Sequence, residues 1–142
     1  SFRISHDTAD PVGYVVSDGK RSFGYCTDTG KVSHLIGRRL AECNGLILEF
    51  NHNLQMLKTG PYPLPLQQRV RSSRGHLSNE DAAEFLKGLI SDHLRTVVLA
   101  HLSETNNTPE LARAAALHSV QHWGDTSLTI ASQDKASILV EI

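Results

Sequence analysis

The chain has 142 residues, a formal net charge of −1 from 14 basic and 15 acidic side chains, and two cysteines. That length suits one domain with its own core, and the balanced charge excludes a global positive field for holding nucleic acid, so any polyanion contact must be local. Cys26 and Cys43 lie in apolar neighbourhoods and are too few for a secreted disulfide scaffold; with no run of membrane length and no signal-peptide pattern, a soluble protein of the reducing cytoplasm is expected, without a membrane partner.

Ser1-Phe2-Arg3-Ile4 has no initiator Met and reads as the middle of a strand, so the chain is expected to begin inside a fold. Alternation and β-branched content predict strands near 2–5, 13–17 and 22–27, the last two joined by the turn Ser17-Asp18-Gly19-Lys20. A helix over 31–43 follows, with Val32, Leu35, Ile36 and Leu40 on one face and Arg38 and Arg39 toward its end. Gly45 separates it from a short buried strand, Leu46-Ile47-Leu48-Glu49-Phe50. Three prolines in Pro61-Tyr62-Pro63-Leu64-Pro65 remove donors and restrict their neighbours, so 60–65 is expected to be a rigid connector without regular structure. Asn79, read as a cap, and the early acids Glu80 and Asp81 open a helix to about 91 with Ala83, Phe85, Leu86, Leu89 and Ile90 on its apolar face. A strand over 96–100 leads to a helix that begins at Thr108-Pro109-Glu110 and ends near Trp123-Gly124. Two final strands, near 127–131 and 137–142, flank the turn Ser132-Gln133-Asp134-Lys135. The pattern predicts a single α/β unit whose sheet opens antiparallel.

Several groups with metal-binding or acid–base chemistry sit at or next to the ends of apolar runs. His6 follows Phe2-Arg3-Ile4-Ser5, Asp28 follows Phe23-Gly24-Tyr25-Cys26, His101 follows Val97-Val98-Leu99-Ala100, and His76 lies in Gly75-His76-Leu77-Ser78-Asn79. Strand ends in an α/β sheet gather side chains in one crevice, and imidazole with carboxylate suits zinc or manganese. Each has a plainer reading alone: a lone His is more often a surface or core residue, and Asp28 a turn or cap. Glu49 ends a wholly apolar strand, where an unpaired carboxylate would be costly, so it should pair with a His or Arg. His34, His93, His118 and His122 lack an accompanying acid or glycine pattern; His118 and His122 are spaced to clamp a metal, but no Glu lies between them. Arg69, Arg71 and Arg74 precede Gly75-His76 as a local phosphate-binding candidate, with a solvated helix face as an equal alternative.

The ordered segments Ser5-His6-Asp7 with Asp10-Pro11-Val12-Gly13-Tyr14, Thr27-Asp28-Thr29-Gly30, Leu48-Glu49-Phe50-Asn51-His52-Asn53, Gly60-Pro61-Tyr62-Pro63, Gly75-His76-Leu77-Ser78-Asn79 and Leu99-Ala100-His101-Leu102-Ser103-Glu104-Thr105-Asn106-Asn107-Thr108-Pro109-Glu110 resemble the second half of a metallo-β-lactamase-fold hydrolase. The most similar subgroup is the bacterial YycJ/WalJ type, related to the RNase Z and RNase J nucleases. The resemblance implies half of an αβ/βα sandwich, with a mixed sheet and helices on one face, and two divalent ions, zinc or manganese, at one edge. It assigns His6 and His101 as ligands of different ions and Asp28 as the bridge between them. It makes His76 a group at the scissile phosphate or leaving oxygen, with Glu49 as its acid partner and His52 beside that acid. Ser78, Ser103 and Asn106 become candidate substrate contacts or loop caps.

One departure weighs against a self-sufficient site. The HxHxDH string that supplies most ligands in this family is absent from the chain. The chain is therefore expected to be a C-terminal half that is inactive alone, with an apolar sheet face left to pair with the missing half or with another copy. The leading expectation is a phosphodiesterase or exonuclease acting on nucleic acid, DNA before RNA. Hydrolysis of a small ester, lactone or thioester on the same fold, or a non-catalytic binding module, are the alternatives.

Overall fold

A hairpin starts the sheet. Asp18 Oδ1 accepts hydrogen bonds from the backbone of Lys20 and Arg21, both at 2.8 Å, and Gly19 takes φ 90°, so Asp-Gly closes the turn between β2 (Val12–Ser17) and β3 (Ser22–Cys26). The computed structural model describes residues 1–120 and 123–142. In it β1 (Phe2–Arg3) pairs antiparallel with β2 and β2 with β3, while β3, β4 (Gly45–Glu49), β5 (Thr96–Ala100) and β6 (Ser127–Ile130) run parallel, giving a six-stranded mixed sheet in sequential order.

Alternation gives the sheet two unlike faces. The row Cys26, Leu48, Leu99 and Ile130, with Leu46 and Val97 in the neighbouring row, faces the core. Against it pack Ile36 and Leu40 of α1 (His34–Leu40), Ala82, Ala83 and Leu86 of α4 (Asn79–Lys87), and Ala112 and Ala116 of α5 (Pro109–Ser119). These three helices thus cover one face. The opposite row, Tyr14, Tyr25, Ile47, Val98 and Thr129, goes from open to closed: Tyr14 and Tyr25 are exposed and Val98 is buried. The C-terminal segment crosses part of this face, since a Cβ on Gly45 would meet the Ile142 side chain.

Several boundaries differ from the sequence expectation. α1 starts only after Ser33, whose hydroxyl accepts from the backbone of Ile36 and stops the helix extending back to 31. Asn53 caps an unanticipated helix, α2 (Leu54–Thr59), and the connector expected over 60–65 gives way to α3 (Leu64–Val70), because Pro65 lies in the first turn, where a missing N–H costs nothing. Ser78, not Asn79, caps α4; its hydroxyl accepts from Asp81 N at 3.1 Å and bonds the Asp81 carboxylate at 2.7 Å. α5 ends at Ser119, as Val120 turns extended and buries its side chain in the core, well before the expected Trp123-Gly124. The strand expected over 137–142 does not form; those residues lie mostly exposed and outside the ladder. The His118 and His122 pair cannot be placed as a unit, because His122 lies outside the described residues.

Candidate metal centre

Parallel strands bring their chain ends to one edge. Asp28 follows β3, Glu49 ends β4, His101 follows β5, and His6 follows β1, which runs in the same sense as β3 because both are antiparallel to β2. His76 joins them through the segment after it, which lies alongside the continuation of β4: Asn51 N bonds Leu77 O at 3.2 Å, His52 bridges Ser78, and Asn79 N bonds His52 O at 2.8 Å.

Glu49 is fully buried at the centre of this edge. Its Oε1 accepts from His76 Nδ1 at 2.7 Å, His101 Nδ1 at 2.8 Å and Asp28 N at 3.2 Å; its Oε2 accepts from Leu77 N at 3.0 Å and Thr29 N at 3.2 Å. Burial pushes the Glu49 carboxyl up, but the hydrogen bonds from His101 and His76 outweigh it and hold the group at about 2. The same Glu49 bond raises the His101 pKa against the opposing effect of burial. The acid–histidine pairing expected from burial is therefore present twice.

The outer side of the cluster converges on Asp28. His101 Nε2 stands 3.5 Å and His6 Nε2 3.8 Å from the same Asp28 Oδ1, while His6 Nδ1 is anchored on Gly75 O at 3.1 Å. His76 lies between the other two rings, at centroid distances of 4.9 Å from His6 and 5.1 Å from His101. Ligating atoms of Asp28, Glu49, His76 and His101 all fall within 4.8 Å of one another. Two donors on one tetrahedral zinc ion, each about 2.0–2.2 Å away, stand about 3.4 Å apart, so both gaps beside Asp28 suit a divalent cation. The chemistry fits as well, because anchored Nδ1 atoms leave Nε2 free. Glu49 is a poorer ligand than its position suggests, since both its oxygens are engaged.

Backbone strain marks the same places. Asp28 and His101, each at φ 58°, are the non-glycine residues in the left-handed region among the described residues. Glu49 accepts the Asp28 amide, and Asn51 Nδ2 donates to His101 O at 2.9 Å, so the end of β4 holds both unusual conformations. Gly30 and Gly75 allow the loop after α3 to approach: a Cβ on Gly30 would strike the Ser72 carbonyl and one on Gly75 the Val70 and Arg69 carbonyls.

The remaining expected residues divide. His52 is 1% exposed and neither ring nitrogen has a partner, so it is not brought into the cluster. Ser78 is buried and spent on the α4 cap. Ser103 accepts the Asn106 amide at 3.1 Å and lines a cavity of about 260 Å³, together with His76, His101, Asn51, Tyr62 and Asn106. The Asn106 side-chain amide is buried without a partner. Arg69 pairs with Asp7 at 2.6 Å, whereas Arg71 and Arg74 are exposed and in no ion pair among the described residues. Asn51, Tyr62 and Gly30 were not singled out as site-forming from sequence; all three lie in segments that carry the family resemblance, and Asn51 and Gly30 each stand two residues after a candidate acid.

A family profile described as beta-lactamase superfamily domain matches residues 2–102. The chain is 38% identical over 124 residues to Exodeoxyribonuclease YycJ of Bacillus anthracis, covering 87% of this chain and 47% of that protein. It is 35% identical over 147 aligned positions to Exodeoxyribonuclease WalJ of Streptococcus pneumoniae, covering 100% of this chain and 55% of that protein. The chain thus spans about half the length of these curated relatives. The crystal structure of the metallo-beta-lactamase fold protein YhfI from Bacillus subtilis matches 92% of this chain and 44% of its own, with TM-score 0.64 and 16% identity, a likeness of fold. No helix among the described residues is long and apolar enough to cross a membrane.

Proposed function

Because the chain belongs to the beta-lactamase superfamily, we propose that it is the C-terminal half of a metal-dependent phosphodiesterase that degrades DNA from an end. The observation that carries this reading is the placing of one carboxylate oxygen, Asp28 Oδ1, within 3.8 Å of one Nε2 and 3.5 Å of another. His6 and His101 would hold separate divalent ions, zinc or manganese, and Asp28, whose Oδ1 faces both rings, would serve as the ligand common to them. Two such cations supply a clamp on the phosphodiester, a water of lowered pKa and stabilisation of the leaving oxygen. His76, half-buried beside them with its Nδ1 tied to Glu49, presents its other nitrogen to the scissile phosphate and carries the proton for the leaving oxygen. Ser103, on the wall of the adjoining cavity, faces the substrate strand, with the buried Asn106 amide behind it.

His6, Asp28 and His101 do not complete two coordination shells by themselves, so the remaining ligands come from a portion of the protein outside these 142 residues. That portion also covers the open sheet face carrying Tyr14, Val16 and Tyr25; without it the chain self-associates. The relatives' names favour DNA over RNA. Cys26 and Cys43, both buried and unpaired, agree with the cytoplasm.

The test is an assay of the complete protein on end-labelled DNA and on a panel of esters, lactones and thioesters, with zinc or manganese. Release of nucleotides that is lost in Asp28→Asn supports the proposal. Turnover of the small-molecule panel alone overturns it, and no turnover of either, with no bound metal, favours a non-catalytic module.

A further inference from the structure

The residues after β1 and the loop after α3 enclose a second, smaller recess beside the metal edge. Ser5 Oγ donates to Ser73 O at 2.6 Å, His6 Nδ1 meets Gly75 O at 3.1 Å and Arg69 Nε donates to Asp7 Oδ2 at 2.6 Å, so three contacts tie 5–7 to 69–75. The two segments line a cavity of about 150 Å³ with His6, Asp7, Arg69, Gly75 and His76 on its walls. It is smaller than the roughly 300–1,000 Å³ of a pocket for a drug-sized ligand and has room for a phosphate group. His6 Nε2 stands 3.8 Å from Asp28 Oδ1 and 3.7 Å from Asp7 Oδ1, so the Arg69–Asp7 pair is one imidazole away from the metal centre.

Charge separates this cavity from its neighbours. Between Glu49 and Glu80 the chain carries Lys58, Arg69, Arg71 and Arg74 and no acidic residue. The cavity of about 260 Å³ and a third of about 500 Å³ beyond His101 both have Glu104 on their walls, the larger Asp134 as well, and neither has a Lys or Arg among the described residues. Asp7 takes only the Nε of Arg69, whose side chain is 68% exposed; the terminal guanidinium nitrogens make no hydrogen bond among the described residues. A planar fork held at its base, with its tips free, matches a pair of phosphate oxygens. An enzyme working from a strand end cuts between one terminal nucleotide and a remainder of repeating phosphates, and the remainder belongs on the basic side.

We propose that Arg69 is a substrate-binding residue that grips the phosphate next to the scissile one on the retained part of the strand, with Asp7 as the residue that orients it. The terminal nucleotide then lies toward the cavities bordered by Glu104.

The experiment uses the complete protein and labelled DNA strands in which one phosphate at a time is replaced by a neutral methylphosphonate. Neutralising the linkage next to the scissile one on the retained side is expected to lower kcat/KM about tenfold, mainly through KM. Arg69→Gln is expected to show that loss on unmodified DNA and no further loss when the same linkage is neutralised, while Arg69→Lys, which keeps the charge without the fork, falls between. Equal loss in Arg69→Gln on every strand, the mark of a purely structural ion pair, overturns the proposal; so does full activity in Arg69→Gln, or a sensitive position at a terminal phosphate instead of the internal linkage. Naming DNA as the ligand rests on the nuclease reading, so a second arm does without it: inorganic phosphate is titrated into the metal-free complete protein and followed by NMR at the Gly75 amide and the His76 ring. If the protein leaves DNA intact, a saturable shift that Arg69→Gln abolishes removes the nuclease reading and keeps Arg69 as a phosphate site, whereas no shift at those groups removes both.

Discussion

Acidification is expected to weaken the fold through His52, a residue outside the cluster. Its ring is buried with both nitrogens unpaired, and burial lowers its pKa from 6.5 to about 4. An unfolded chain takes up this proton near pH 6.5 and the folded chain only near 4, so the unfolded state binds more protons in between. The stability tied to neutral His52 is complete above pH 6.5 and is lost as pH falls toward 4. That shift corresponds to about 3 kcal/mol in full, of which about 2 kcal/mol is gone on going from pH 7.5 to pH 5. His101 acts in the opposite sense, since its raised pKa adds stability below 6.5 that is lost as pH rises through the folded value. Glu49, held at about 2, changes nothing above its unfolded pKa of 4.5.

The His52 contribution is therefore isolated by comparison with His52→Leu, which fills similar space with no polar atom. At pH 7.5 the variant is expected to be more stable by about 1–3 kcal/mol, the cost of leaving buried polar atoms unsatisfied. At pH 5 the gap widens by a further 2 kcal/mol or so. Urea unfolding followed by the fluorescence of the single tryptophan, Trp123, reads both values. A variant less stable than the unsubstituted protein at pH 7.5, or a gap that does not grow on acidification, would refute the reasoning.

Gly75→Ala drives a Cβ into the Val70 and Arg69 carbonyls and is expected to cost about 1–3 kcal/mol by urea unfolding, while Gly88→Ala, at φ −74° with only an ordinary contact to Phe85 O, is expected to stabilise by about 0.4–1 kcal/mol. Asn107 Nδ2 serves Phe50 O at 2.8 Å, Asn79 Oδ1 at 2.9 Å and Asn51 O at 3.1 Å, so Asn107→Ala should lose about 2–3 kcal/mol in the same measurement. His101→Ala and Asp28→Asn are each expected to reduce zinc or manganese affinity at least tenfold in a chelator competition, whereas Arg74→Ala leaves it unchanged. Val16, 68% exposed on the open sheet face, is expected to matter for association: Val16→Lys should shift the chain toward monomer in size-exclusion chromatography.

The strands were legible because their pattern is local. Val97-Val98-Leu99-Ala100 is buried on both faces and reads as a strand at sight, and Thr108-Pro109-Glu110 carries its own start signal. The three-proline segment misled for the opposite reason: proline forbids a helix interior but suits a first turn, and only the neighbouring chain decides which applies at Pro65. The strand expected at 137–142 failed because β propensity needs a ladder to join, and the sheet ends at β6.

At the site, the gathering of His6, Asp28, His76 and His101 at one sheet edge was expected from the sequence, whereas the contacts that fix their conformations were not. Nothing local in Thr27-Asp28-Thr29-Gly30 announces a left-handed Asp28, since that conformation is set by an acceptor 21 residues away on Glu49. His101 is likewise fixed from β4, through its ring by Glu49 and through its carbonyl by Asn51. Such strain persists only where several contacts over-determine it. All of those contacts come from the last residue of β4 and the two that follow it, which makes the end of this one strand, rather than any ligand, the part of the chain on which the geometry of the centre depends.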